Sequence, residues 1–305
     1  MNWKRLFSTP PPDTVWSLDS QTVVVVHRDR KQGNRCGAVD APQGLVELGP
    51  AGLQGVDVQR LTTLLTSLQE TIKGDRRAAV VVPTHWIRCF LVEAEDLPRR
   101  RADLQDVLRW RLKKLLPIAP TDLRIAASIQ SPMGPTKSVL CSAAPEKAVA
   151  QLENAFDGAG VSPGLLLPRI FALAAETVSA DTRRLIVQQE ASVLSMAVVA
   201  DGGIRLIRTK PLPQSGGSWT GAEREISLAM SYIRATMEIV GPIEVVVSAS
   251  DDASAQSIAE SFGGQADVSV RISAALQVCP DAHLAATLGN GRLAPMAAVL
   301  DGGAP

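Results

Sequence analysis

Hydrophobic positions along the chain change period several times, and each change marks an element. Val80, Val81 and Val82 form a β-branched run stopped by Pro83, and Ile87 to Val92 read as a second short strand. From Asp103 the period becomes helical. Leu104, Val107, Leu108, Leu112, Leu115 and Leu116 share a face, Asp103 stands as N-cap and Pro117 ends the run, which predicts an amphipathic helix of about four turns. Upstream, Val15 to His27 predicts a strand pair or one long strand, Gly44 to Gly49 a strand near a turn, and Val56 to Ile72 a helix with Val58, Leu61, Leu64, Leu65 and Leu68 on its apolar side. Downstream, Ser138 to Ser142 reads as a strand and Pro145 to Ala159 as a helix. Arg184 to Gln188, Ser192 to Ala200 and Ile204 to Lys210 then predict three strands, the last two joined by Asp201-Gly202-Gly203, a turn suited to positive φ. A helix from Ala222 to Val240, burying Ile226, Ala229, Met230, Ile233 and Met237, leads to a strand at Ile243 to Ser248, a helix at Ala253 to Phe262 and a strand at Val268 to Ile272. The first 83 residues thus read β-β-β-α-β, and the second half repeats the plan.

The stretch from Ala78 to Leu123, with its Pro-terminated strand, Leu97-Pro98 loop and VLRWRLKKLLPIAP helix, resembles the signature of the PilM family of type IV pilus assembly. Trp110, Arg111, Lys113, Leu116, Pro117 and Ile118 fall where that family carries a Trp, charged residues and an Ile-Pro-Phe type ending. GAGVSPGLLLPRIFALAAE is similar to its Ala-Gly-Leu turn, buried strand and Phe-Ala-Leu helix, and SMAVVADGGIRLIRTKPLP to its hairpin and Arg-Thr strand. The resemblance covers most of residues 80 to 300 in order. It implies an actin-like α/β fold, with ribonuclease H-like duplicated β-β-β-α-β-α halves and a small inserted α+β subdomain. On that plan residues 1–13 are a flexible tail, 14–180 the first half, interrupted by the insert at 84–146, and 181–305 the second half.

Composition narrows the classes. With 305 residues, 46% of them hydrophobic, the chain can bury large cores, and its formal net charge of zero argues against nucleic acid as the main partner. No apolar run approaches bilayer-spanning length, and MNWKRLFSTPPP lacks the apolar core of a signal peptide, so a cytoplasmic location is expected. Cys36, Cys89, Cys141 and Cys279 form no C-x-x-C pair and read as reduced packing residues. The tail's Trp3, Leu6 and Phe7 beside Lys4 and Arg5 read as a disordered leader, with contact to a membrane surface or a partner as the alternative.

An actin-like nucleotide site needs a glycine turn in each half, so that backbone N–H groups approach the phosphates, and nearby Asp residues to position Mg²⁺. In the family each turn reads Asp-x-Gly. Aligning WSLDSQT puts Ser17 at the Asp and Asp19 at the Gly; placing Asp19 at the Asp puts Gln21 at the Gly, and the turn is lost either way. In LIVQQEASV, Val187 and Gln189 fall at those positions with Glu190 beside them. A third motif wants Gly-Gly to admit the adenosine, and Ala249-Ser250 stand there, followed by Asp251-Asp252. These departures predict no ATP, no Mg²⁺ and no catalysis. His27, His85 and His283 are isolated, which predicts neither a metal site nor a histidine relay. Ser192 and Ser195 lack a G-x-S-x-G elbow, and Gly202-Gly203 and Gly216-Gly217 open no helix as a phosphate loop must.

Arg99, Arg100, Arg101, Arg109, Arg111, Lys113 and Lys114 concentrate in or beside one helix. They read either as a solvated face or as a contact surface for an acidic partner or an anionic membrane, with Arg109, Trp110, Arg111, Lys113 and Lys114 as candidate contacts. The resemblance implies a cytoplasmic scaffold that binds the tail of a PilN-like bitopic inner-membrane protein, in a groove between the first half and the insert, and couples it to a cytoplasmic assembly ATPase. The alternatives are the cytoplasmic domain of a GspL-like type II secretion platform protein and an actin-like ATPase with unusual phosphate loops.

Overall fold

The computed structural model describes residues 12–94, 98, 100–130, 137–175, 183–212, 220–235, 241–265, 267–274 and 276–302. The Trp3 to Phe7 stretch, Leu97, Arg99, Gly216-Gly217 and the segment from Met237 to Val240 lie outside them.

Two five-stranded sheets share one topology. In the first, β1 (Thr14–Leu18), β2 (Thr22–His27) and β3 (Arg35–Asp40) form an antiparallel meander. After a small hairpin of β4 (Val46–Gly49) and β5 (Gly52–Val56), helix α1 (Val58–Ile72) crosses to β6 (Arg77–Val82), which runs parallel to β1. Beyond an insertion, α3 (Glu146–Gly158) crosses to β10 (Ser162–Pro168), giving the order β10-β6-β1-β2-β3. The second sheet repeats this with β11 (Arg184–Glu190), β12 (Val193–Ala200), β13 (Gly203–Pro211), α5 (Thr220–Ala235), β14 (Ile243–Ala249), α6 (Asp252–Glu260) and β15 (Val268–Ile272), in the order β13-β12-β11-β14-β15. Each crossover joins parallel strands through a helix, as a parallel pair requires.

Alternation within the strands assigns each side chain to a layer. Trp16 and Leu18 of β1 face α1 and α3, where the Trp16 ring meets Phe156 edge-on at 5.7 Å. Val15 of β1 and Ile186 of β11 face inward, toward a common core with α4 (Arg169–Ala174) and α8 (Asn290–Asp301), which lie between the sheets. Helix α7 (Ala282–Leu288) leads into α8, and the side chain of Asp281 caps α7 by accepting from His283 and Leu284 N–H groups.

The insertion is a three-stranded antiparallel sheet of β7 (Arg88–Ala94), β8 (Leu123–Ile129) and β9 (Lys137–Pro145), ordered β7-β9-β8 and covered by α2 (Arg101–Leu112). Leu104, Leu108, Leu112 and Leu116 pack on Leu123, Ile125, Val139 and Cys141. Gln130, at the end of β8, accepts from the Ile204 N–H at 2.9 Å and so ties the insertion to the second sheet.

Several expectations are revised by packing. The third strand of the first sheet is Arg35–Asp40; the Gly44 to Gly49 stretch belongs to the separate hairpin. Arg35–Asp40 contains a glycine and ends in charges, so it shows no alternation to read. Helix α2 begins two residues before Asp103, which lies in its first turn, and closes at Leu112, leaving Leu115 exposed and α2 a turn shorter than its apolar spacing predicts. Strand β8 and helices α7 and α8 have no counterpart in the sequence reading. In the β12–β13 turn, Asp201 and Gly202 both take positive φ, 49° and 69°, as that hairpin requires.

Candidate functional site

The two halves meet at the hairpin turns β1–β2 and β11–β12, which face each other across α4. Inward-facing positions continue the parity of Val15 and Ile186, so Ser17 and Asp19 on one side meet Gln188 and Glu190 on the other. Turn geometry makes these pairs equivalent: the Asp19 N–H bonds the Thr22 carbonyl, and Glu190 pairs with Val193, each spanning three residues. Val187 lies on the opposite face of β11, in the outer core with Leu185 and Val245. Gln188 therefore occupies the place facing Ser17 where alignment of the sequence puts Val187, and Glu190 the place where it puts Gln189.

One guanidinium spans these groups. Arg169, at the start of α4, donates to Glu190 Oε1 at 3.0 Å, to Ser17 Oγ at 2.9 Å and to Asp19 Oδ2 at 3.1 Å. Its side chain is 5% exposed, against 9% for Glu190 and 12% for Asp19. Arg292 of α8 adds a second cation, bonding Asp19 Oδ2 at 2.7 Å and Gln21 Oε1 at 2.9 Å. The other Asp19 oxygen accepts from the Gln21 and Thr22 N–H groups at 2.9 and 2.8 Å. Burial alone would raise the Asp19 pKa, but the charges of Arg169 and Arg292 and these hydrogen bonds hold it below its ordinary value.

Thr84 completes the arrangement from the first turn of a short 3-10 segment, Thr84–Trp86. Its N–H donates to Glu190 Oε2 at 2.7 Å, its hydroxyl donates to Gln188 Oε1 at 2.6 Å, and that hydroxyl accepts from the Ile170 N–H at 3.1 Å. Beside it, His85 is partly buried with Nδ1 unpartnered, and burial lowers its pKa.

Ala249 and Ser250 are engaged as well. The first turn of α8 lies so close to the end of β14 that a Cβ at Gly291 would collide with the Ala249 carbonyl. Ser250 Oγ accepts from the Ala191 N–H at 3.2 Å, and Asp251 caps α6 by accepting from the Ser254 N–H at 2.8 Å. Ser17, Asp19, Val187, Gln189, Ala249 and Ser250 thus each have an internal partner or a core environment. The chemistry available is that of a cation-bridged carboxylate pair, whose oxygens are already bonded.

The basic helix is separate from this cleft. Trp110 is 67% exposed and Lys114 Nζ sits 5.7 Å from its ring centroid. Arg109 pairs with Asp106 at 3.0 Å, Arg111 bonds the Glu93 carbonyl, and Lys113 is exposed in the turn after α2. Among the described residues no cluster of His, Cys, Asp and Glu could hold a metal, and no helix is long and apolar enough to cross a membrane. His27 bonds Thr14 Oγ1 at 2.9 Å, and His283 is exposed on α7. Burial pushes the thiols of Cys89 and Cys141 up to about 12, so both are protonated packing groups.

Arg169 and Arg292 are absent from the sequence reading. A cation at the head of an apolar helix such as RIFALA reads as solvated; the signal for its burial is the pair of carboxylates, Asp19 and Glu190, at turns that would face each other in a duplicated fold.

No protein-family model and no curated protein matches the chain. Among solved structures, it is similar to a PilM-PilN type IV pilus biogenesis complex, with a TM-score of 0.72 and 13% identity over 97% of this chain and 100% of that one. It is also similar to a Bacteroides thetaiotaomicron protein described as having an actin-like ATPase fold and unknown function, with a TM-score of 0.50 and 9% identity over 90% and 95% of the two chains. The cytoplasmic domain of EpsL, an inner-membrane component of the type II secretion system of Vibrio cholerae, gives a TM-score of 0.48 and 11% identity over 92% and 96%. The chain therefore has an actin-like α/β fold.

Proposed function

We propose that the chain is an assembly scaffold of a type IV pilus or related secretion platform, and that its actin-like cleft is a structural strut where an active relative would hold nucleotide. The observation that carries the second part is the guanidinium of Arg169 between Asp19 and Glu190. Polyphosphate entering there would meet a carboxylate at each turn instead of the open backbone of a glycine, and Mg²⁺ would compete with two guanidiniums for oxygens already bonded. The residues present do not fit Mg-ATP, and no catalytic step is assigned to them. Binding of a PilN-like bitopic membrane protein through its short cytoplasmic tail, in a groove between the first half and the inserted sheet, rests on the full-length likeness to a PilM-PilN complex. Such recognition needs a groove and backbone edges, not acid or base groups. On this reading the chain works at the cytoplasmic face of the membrane and couples that partner to an assembly motor.

The test is affinity capture of the tagged chain from detergent-solubilised membranes, followed by titration with a synthetic tail peptide of any single-span protein recovered. Saturable binding of that peptide is the expected result. A partnerless monomer, or a partner whose tail does not bind, overturns the scaffold reading.

A further inference from the structure

Between Val107 and Thr121 the chain carries four cations, Arg109, Arg111, Lys113 and Lys114, and no carboxylate, although the whole chain has zero net charge. The structure splits this segment in two. Leu108, Leu112 and Leu116 are buried in the core of the insertion, while Trp110 and Leu115 stand out at 67% and 56% exposure. These are the most exposed large hydrophobic side chains among the described residues. Lys113 and Lys114 are exposed beside them, and Lys114 lies over the Trp110 ring. Among the described residues, carboxylates near this segment are Asp106, which pairs with Arg109, Asp103 in the first turn of α2, Glu93 on β7, and Asp122 in the short turn that packs against α2.

A large exposed aromatic ring and an exposed leucine at a helix end, beside two exposed lysines, match the chemistry of a lipid interface. Tryptophan is stable at the headgroup level, lysine stems extend along apolar surface with the ammonium outward, and an anionic leaflet attracts the cations. Recognition of an acidic motif relies on clustered arginines, whereas here Arg109 and Arg111 are held by Asp106 and the Glu93 carbonyl and the exposed cations are lysines. We propose that the C-terminal end of α2 docks on an anionic lipid surface, with Trp110 and Leu115 entering the headgroup layer and Lys113 and Lys114 facing lipid phosphates. This goes beyond the scaffold reading: the chain touches lipid itself, and the contact stands whether or not a protein partner also holds it at the membrane.

The full chain is sedimented with phosphatidylcholine vesicles and with mixed phosphatidylcholine–phosphatidylglycerol vesicles. Binding is expected only to the mixed vesicles, weakened about 30-fold by the double variant Lys113→Gln/Lys114→Gln and abolished by high salt. Trp110→Phe should remove a blue shift in emission that the wild type shows on binding. Both sites are exposed, so the thermal midpoint of each variant should match the wild type and exclude misfolding as the cause. Absence of binding to anionic vesicles overturns the proposal. So does binding unchanged by the double variant, which would move the contact to another segment such as Trp3 to Phe7, and so does binding to polyglutamate without binding to vesicles, which would assign the surface to an acidic protein.

Discussion

Two arginine–carboxylate clusters in this molecule have similar bond lengths and opposite surroundings. Arg169 lies 3.0 Å from Glu190 and 3.1 Å from Asp19 with all three side chains no more than 12% exposed. On the flank of the molecule, Arg124 of β8 bonds Glu146 and lies 2.9 Å from Glu153 of α3, with all three at least 40% exposed. Distance alone would rank the exposed cluster at least as strong as the buried one. Desolvation separates them: a buried charge deprived of its partner keeps the whole cost of leaving water, whereas an exposed one is simply rehydrated and screened. The first cluster therefore links the two halves in a buried setting, and the second joins the insertion to α3 at the surface.

The sharpest way to break this contrast is Arg169→Ala, which strips buried Glu190 of its guanidinium and leaves Asp19 with Arg292 alone. Loss of about 3–5 kcal/mol in denaturant titration is expected, and a loss below about 1 kcal/mol would mean that the cluster behaves like a surface pair. Arg292→Ala removes only one of the two cations on Asp19, and about 1.5–3 kcal/mol should go with its charged hydrogen bonds. Arg124→Ala should cost under about 1 kcal/mol, and that small cost should shrink further in salt.

Acidity sharpens the comparison through a slope whose sign follows from the pKa directions. His85 is depressed below the ordinary value of 6.5, chiefly by burial, with Arg169 and Arg88 lowering it further against Glu190 and Asp19. Below pH 6.5 the unfolded chain takes up that proton before the folded one, so stability falls as pH drops from 6.5 toward the lowered value and is flat above it. His85→Asn should remove that slope in thermal melts taken across the window. Asp19, held below 3.8, contributes stability that is complete above that pH and is lost as pH falls through its lowered value. Asp19→Asn should flatten this second, more acidic decline.

Sequence patterning carried the duplicated plan further than it carried the site. The β-branched and aromatic runs TVWSL and TVVVVH and the switch to helical spacing in α1 are local signals, and the structure places strands and helix where they fall. The run LIVQQ is different. A central strand buried on both faces is nearly apolar throughout, so nothing in it says whether Val187 or Gln188 faces the cleft. Parity came only from the pairing of β11 with β12 and β14 and from the cores on either side. Arg169 was illegible for a related reason: its partners lie 150 and 21 residues away in sequence, and only the closed fold brings them together. Strand β3 escaped notice because its glycine and charged ends carry no period, while its place is fixed by pairing with β2.

The account turns on whether the Arg169 strut has taken the place of a ligand. Thermal unfolding of the wild type with and without millimolar Mg-ATP decides this most directly. The account predicts coincident transitions. A stabilisation approaching about 2.7 kcal/mol, the value for ligand at a hundredfold excess over Kd, would show that nucleotide displaces the strut and would contradict it.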